Sequence, residues 1–276
     1  MFPYLNIGEI SIDLYSFFNN IVAIVVLIIY NFIRVNEKKT ILTYPSQKIV
    51  YKAMLKDKAK VNKVEKRCAI VEAFIISLVV VLVISNVNQI FGDLIGTFVN
   101  YFGTIFSISF VFYFISIILK TNPLKQMDFV AMVLPLTLTP IKIACFMTGC
   151  CYGIPFKYGL YNQSYEGVQV PVQLIEAGCA FAIFLYMRKK RATAKTGTLF
   201  PIFVILYCAT RFFSEFLRAE ENVFLIFKEY HILCAIGFVF GLVHLAVVLK
   251  FGDKITAYYD KKYDEIKEKV KEKVTA

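Results

Sequence analysis

Six ionisable residues stand inside or at the end of long apolar stretches; Glu72, close to Lys66 and Arg67, reads as a snorkelling surface carboxylate, which leaves five, Lys142, Glu176, Arg211, Glu215 and Arg218. A charge at such a place costs about 2.5 to 3.5 kcal/mol even on a gentle insertion scale, so each asks for a partner or a function. Arg211, Glu215 and Arg218 are spaced i, i+4, i+7 and share one helical face, while Gln173 and Glu176 form an i, i+3 pair on another segment. Two carboxylates do not neutralise three cations. The surplus suits an anionic group arriving from outside the protein, such as a phosphodiester, and the competing reading is an ion-paired cluster that only ties helices together. The segment Gly149–Gly153 (GCCYG), followed by Pro155, reads as a turn that is either a helix stop or a seat for a ligand. The adjacent Cys150 and Cys151 lack the C-x2-C spacing and nearby histidine of a zinc motif, so no metal site and no cofactor are expected.

The elements that must position these residues follow from composition. The chain has 276 residues, 58% of them apolar and 18% charged, and a formal charge of +11. That apolar share exceeds what one soluble core hides, and it excludes disorder. Seven apolar stretches, roughly 15–33, 69–91, 95–119, 127–149, 171–187, 200–217 and 230–249, are each long enough to cross about 30 Å of hydrocarbon as a helix. The expected fold is an all-α polytopic membrane bundle of about seven helices. With the N-terminus outside and the C-terminus cytoplasmic, 26 of the 31 Lys and Arg residues fall on the cytoplasmic side, a strong positive-inside pattern. This accounts for the basic excess without a nucleic-acid partner. The five residues above then lie within about 11 Å of the outer boundary. Residues 1–252 are expected as the transmembrane domain, with 35–68 a basic cytoplasmic loop, and 253–276 as a charged helical tail. The first 14 residues hold no Lys or Arg, so no removable signal peptide is expected.

The motifs, taken in order, resemble those of the prolipoprotein diacylglyceryl transferase family, bacterial membrane enzymes with a seven-helix core. Residues 7–16 (IGEISIDLYS) are similar to the family's entry into its first helix, whose functional tyrosine falls on Tyr15. KIACFMTGCCYG, from Lys142 to Gly153, resembles the signature G-R-x-G-N-F-x-N-G-E-x-x-G in its GCCYG variant. PVQLIE, from Pro171 to Glu176, matches P-x-Q-L-Y-E, and LYCATRFFSEFLR, from Leu206 to Arg218, matches Y-x-x-x-R-F-x-x-E-x-x-R. Three positions differ from the pattern. Lys142 replaces the signature arginine, Cys145 an asparagine, and Tyr101, Phe102 and Gly103 stand where the family has His-Gly-Gly.

The resemblance implies transfer of a diacylglyceryl group from phosphatidylglycerol to the lipobox cysteine thiol of a prolipoprotein, at the bacterial cytoplasmic membrane, with release of glycerol phosphate. It implies that Arg218, Arg211 and Lys142 hold the phosphate and stabilise it as it leaves, that Glu215 and Glu176 orient them, and that Tyr15 and Gln173 position the head group. The glycines Gly149 and Gly153 would shape the seat, with Tyr101 a hydrogen-bond donor at the histidine position. The nucleophile is the substrate's own cysteine, so Cys150 and Cys151 need not be nucleophiles. The replacements at Lys142 and Tyr101 leave open a second reading, a catalytically degenerate homologue that binds phospholipid or serves a membrane partner.

Overall fold

The computed structural model of the protein describes residues 4–7, 10–13, 44–56, 61, 63–68, 71, 113–114, 116–118, 122–162, 165–219 and 227–275. Five main helices and two short hairpins are traced in them. The elements are β1 (Tyr4–Ile7), β2 (Ile10–Asp13), α1 (Tyr44–Lys56), α2 (Pro123–Thr148), β3 (Pro155–Asn162), β4 (Gly167–Gln169), α3 (Val172–Lys190), α4 (Leu199–Glu215) and α5 (Glu229–Thr275). The architecture is mostly helical. Two antiparallel strand pairs, β1 with β2 and β3 with β4, depart from the all-α expectation. β3 alternates neither polarity nor burial in a way that announces a strand, because most of its side chains are exposed and its pairing partner is only three residues long.

Among the described residues, two helices are long and apolar enough to cross a membrane by length and composition: Pro123–Thr148, and Glu229–Lys262 within α5. The expected fifth and sixth spans coincide with the 19-residue α3 and the 17-residue α4, lengths of roughly 28 and 26 Å at 1.5 Å per residue, which are not among those two. The first three expected spans lie almost wholly outside the described residues.

The exposed faces of these helices are apolar. Leu174, Phe181 and Leu185 on α3, and Ile232, Val239 and Val243 on α5, are all well exposed, whereas Glu176, Arg211, Glu215 and Arg218 are buried. A water-soluble protein reverses that arrangement. Lipid tails are the surroundings in which an apolar exterior and a charged interior are both stable.

The described residues fall into two compact units. One contains 131–219 and 227–246 and carries every site residue discussed below; the other includes α1, the start of α2 and the end of α5. In the first, α3 packs on α4. The buried positions of α3, Val172, Gln173, Glu176, Ala177, Ala180, Ile183, Phe184 and Met187, recur at helical intervals and form one stripe. In the second, Lys125 Nζ lies 3.0 Å from Asp260 Oδ1 in an exposed pair that links the two helices. The expected start of the tail at 253 falls inside α5, which runs unbroken to Thr275.

α2 carries Pro135 and Pro140 in its interior. Proline removes an N–H from the helix ladder, and hydroxyls of the same helix take up carbonyls there: Thr139 donates to Pro135 O and Thr137 to Val133 O, both at 2.9 Å. The helix continues past both prolines and delivers Lys142 and Cys145 to the unit's interior.

Candidate functional site: a buried ion cluster beside a glycine loop

Glu176 is the centre of the site. Its carboxylate receives Lys142 Nζ from α2 at 2.6 Å, Arg211 Nη1 from α4 in a close contact, and Arg218 Nη2 at 3.1 Å. Ser214 Oγ, one turn beyond Arg211, donates to the same carboxylate at 2.9 Å. Glu215 forms a second pole, with Arg211 Nη2 at 2.9 Å and Arg218 Nε at 3.8 Å from its Oε2. All five charged residues are less than a tenth exposed. Sequence spacing put Arg211, Glu215 and Arg218 on one face; folding places Glu176 against that face and brings Lys142 from a third helix. The five expected residues are therefore one cluster.

Arg218 lies three residues beyond the end of α4, and its backbone is held both by that helix end, through its N–H to Glu215 O at 3.2 Å, and by the glycine loop. Ile154 N–H donates to Leu217 O at 2.9 Å, and Ala219 N–H to Tyr152 O at 3.2 Å. This short antiparallel link pairs Gly153 with Arg218. A β carbon at Gly153 would sit 2.4 Å from Val170 O and 2.8 Å from Leu217 O, so only glycine fits. Gly149 has φ 76°, a left-handed conformation that ends α2 and starts the loop. Asn162 Nδ2 donates to Gly149 O at 3.0 Å, which ties the far end of β3 to that turn. Gln173 does not point at the cations: its Nε2 donates to Cys150 O at 2.6 Å, holding the loop against the start of α3.

Two residues of the site carried no signal strong enough to single them out. Lys228, which belongs to no motif, is buried, and its Nζ donates to Glu215 O at 2.8 Å and Arg218 O at 2.5 Å. It satisfies carbonyls left over at the end of α4, so it secures the strand of chain that carries Arg218. His231 is 1% exposed. Its Nδ1 accepts the Lys228 N–H at 2.9 Å and its ring packs among Phe212, Phe216 and Phe227. Tyr15 and Tyr101 lie outside the described residues.

The cluster holds three buried cations, Lys142, Arg211 and Arg218, around two carboxylates, with buried Lys228 on the backbone carbonyls beside it. Arg211 Nε, buried, has no hydrogen-bond partner among the described residues. A narrow cleft lined by Lys142, Glu176, Cys179, Tyr207, Arg211 and Ser214 reaches the cations. Such an arrangement can receive an anionic oxygen group and stabilise charge that develops on it.

A sequence model of the family described as prolipoprotein diacylglyceryl transferase matches residues 4–247. A protein of Clostridium tetani named phosphatidylglycerol–prolipoprotein diacylglyceryl transferase is 30% identical over 110 residues, covering 36% of this chain and 43% of the relative. The aligned part thus spans less than half of that relative's length.

Proposed function

The chain belongs to the prolipoprotein diacylglyceryl transferase family, and on that premise we propose that it transfers a diacylglyceryl group from phosphatidylglycerol to the thiol of a prolipoprotein's lipobox cysteine. The observation that carries this reading is the convergence of Lys142, Arg211 and Arg218 on the single carboxylate of Glu176. A surplus of buried cations fits a phosphodiester head group.

In this reading Arg218, at the end of the glycine loop, and Arg211 hold the phosphate through planar guanidinium groups, and Lys142 adds a point charge. Negative charge grows on the phosphate as the ester bond to the glyceryl carbon breaks. Cations already fixed at that position stabilise it without reorganising, which lowers the barrier. Glu176 and Glu215 keep the guanidinium groups oriented, Gln173 holds the loop, and Gly149 and Gly153 allow the backbone to approach the ligand. Tyr15 binds the head group, and Tyr101 donates a hydrogen bond at the position of the family histidine. Substrate enters from the outer leaflet of the bacterial cytoplasmic membrane, in a protein of seven spans with its N-terminus outside and its C-terminus in the cytoplasm. Phospholipid and the prolipoprotein signal peptide are the partners, and no cofactor is called for by the charge-stabilisation step.

The test uses purified full-length protein with phosphatidylglycerol vesicles and a lipobox peptide. The expected result is a peptide with a thioether-linked diacylglyceryl group, together with free glycerol phosphate. Phospholipid binding without product, unchanged by Lys142→Arg, would instead identify a lipid-binding homologue. That second reading is favoured by one residue, since Lys142 meets Glu176 through one nitrogen where an arginine would offer two.

A further inference from the structure

Cys145, Cys150 and Cys151 have their sulfur atoms within 4.8 Å of one another. The linear sequence hides this group. Cys145 is on the last turns of α2, and the chain reverses after Gly149 so that the next two residues fold back onto it. Cys151 adopts φ 57°, a left-handed conformation uncommon for a residue other than glycine, and this conformation is part of the turn that returns the loop to the helix. The position of Cys150 is fixed at two points: Gln173 Nε2 binds its carbonyl at 2.6 Å, and Thr148 Oγ1 donates to its sulfur at 3.5 Å. None of the three is in a disulfide.

We propose that these three cysteines form a thiolate site for Zn2+ whose fourth position receives the thiol of the acceptor. Sulfurs about 2.3 Å from a tetrahedral zinc are about 3.8 Å apart, so closure needs a contraction of about 1 Å, within reach of side-chain rotation. Among the described residues the group of candidate ligands stops at three, which is the ligand number of a zinc site that keeps a position open for chemistry. The hydroxyl of Thr148 supplies an outer contact to the Cys150 sulfur, and Gln173 fixes the backbone that carries it. Charge agrees with the assignment. Zn2+ with three thiolates carries a net −1, which suits a unit whose interior holds the buried cations Lys142, Arg211 and Arg218.

The site deepens the transfer reading and rests on it for the role of the fourth ligand. The acceptor R–SH binds zinc as R–S− and gives up its proton to the medium. Its sulfur attacks the glyceryl carbon that bears the phosphate ester, forming the C–S bond as the C–O bond breaks. The bonding pair leaves with the phosphate as glycerol phosphate, which the cations hold, and the thioether, a weaker ligand than a thiolate, leaves the metal. A zinc-bound thiol is deprotonated near neutrality, so the chain needs no separate strong base for the thiol.

The experiment loads full-length protein, reduced and stripped by a chelator, with Co2+ in place of Zn2+. The expected result is about one Co2+ per chain with intense sulfur-to-cobalt charge-transfer absorption that a lipobox peptide increases further and its serine analogue does not. Cys145→Ser, Cys150→Ser and Cys151→Ser should each lose most of the absorption, while Cys68→Ser keeps it; zinc content of the untreated parent gives a measure that needs no variant. Absence of bound metal, absorption that survives the triple serine variant, or a native disulfide within the trio would overturn the site. Metal absorption that ignores the peptide would overturn its role in holding the acceptor. A full cobalt and peptide response without any thioether product would leave the metal site standing and sink the transferase reading instead.

Discussion

Glu176 is the residue on which most of the site depends. Its carboxylate meets three cations and a hydroxyl, so Glu176→Gln takes from the buried Lys142, Arg211 and Arg218 the carboxylate they share. Breaking a buried ion pair on one side costs about 3 to 5 kcal/mol, and thermal unfolding in detergent should show a loss of that order. Arg218 should behave differently. Arg218→Ala removes a cation that acts mainly as charge builds on the leaving phosphate, and kcat should fall by about 100- to 1000-fold with a smaller change in KM. An equal loss in binding alone, with kcat preserved, would show that Arg218 only recruits lipid. The cations and carboxylates of this cluster were legible as residue types, because a charge inside an apolar run has few neutral explanations. The hub role of Glu176 was not, since nothing in the spacing says that Lys142 and Ser214 reach the same carboxylate.

Among the elements, the loop between α2 and β3 matters most for geometry. It is tied to the chain around Arg218 by Ile154 N–H to Leu217 O and Ala219 N–H to Tyr152 O, and to α3 through Gln173. Gly153→Ala must push a carbon into two carbonyl oxygens, which should cost about 2 kcal/mol or more and displace Arg218, seen as lost stability together with lost transfer. Gly178 in α3 is the control: no atom lies within 4 Å of an added β carbon there, so Gly178→Ala should gain about 0.5 to 1 kcal/mol with activity retained. The helices α2 to α5 were readable from hydrophobic runs, and the turn from its glycines. The β3–β4 hairpin was not readable, because exposed aromatic residues such as Tyr158 and Tyr161 give no alternation between core and solvent. Lys228 escaped for a similar reason: a lysine in a polar loop looks solvated until the folded chain closes over it.

For the whole molecule, the outward-facing apolar surface of α3 and α5 and the basic loops suggest one orientation in the membrane. A green fluorescent protein joined after Ala276 should fluoresce and an alkaline phosphatase joined there should be inactive, as a cytoplasmic C-terminus requires; the opposite pair of results would invert the topology. The two candidate spans among the described residues were legible from length and hydropathy, while the unit structure was not, since both α2 and α5 contribute to each of the two units. The way Glu176 occupies the cations has a further consequence. The site is never an empty receptor: it carries its own resident counter-ion, and an arriving head group must compete with that carboxylate for the same nitrogens. Loading is therefore ion exchange, in which the lipid gains only the difference between two anions. In the proposed reaction, weak and reversible loading of the lipid follows from that difference, and it leaves most of the interaction with the cations to be realised when the phosphate departs with its extra charge.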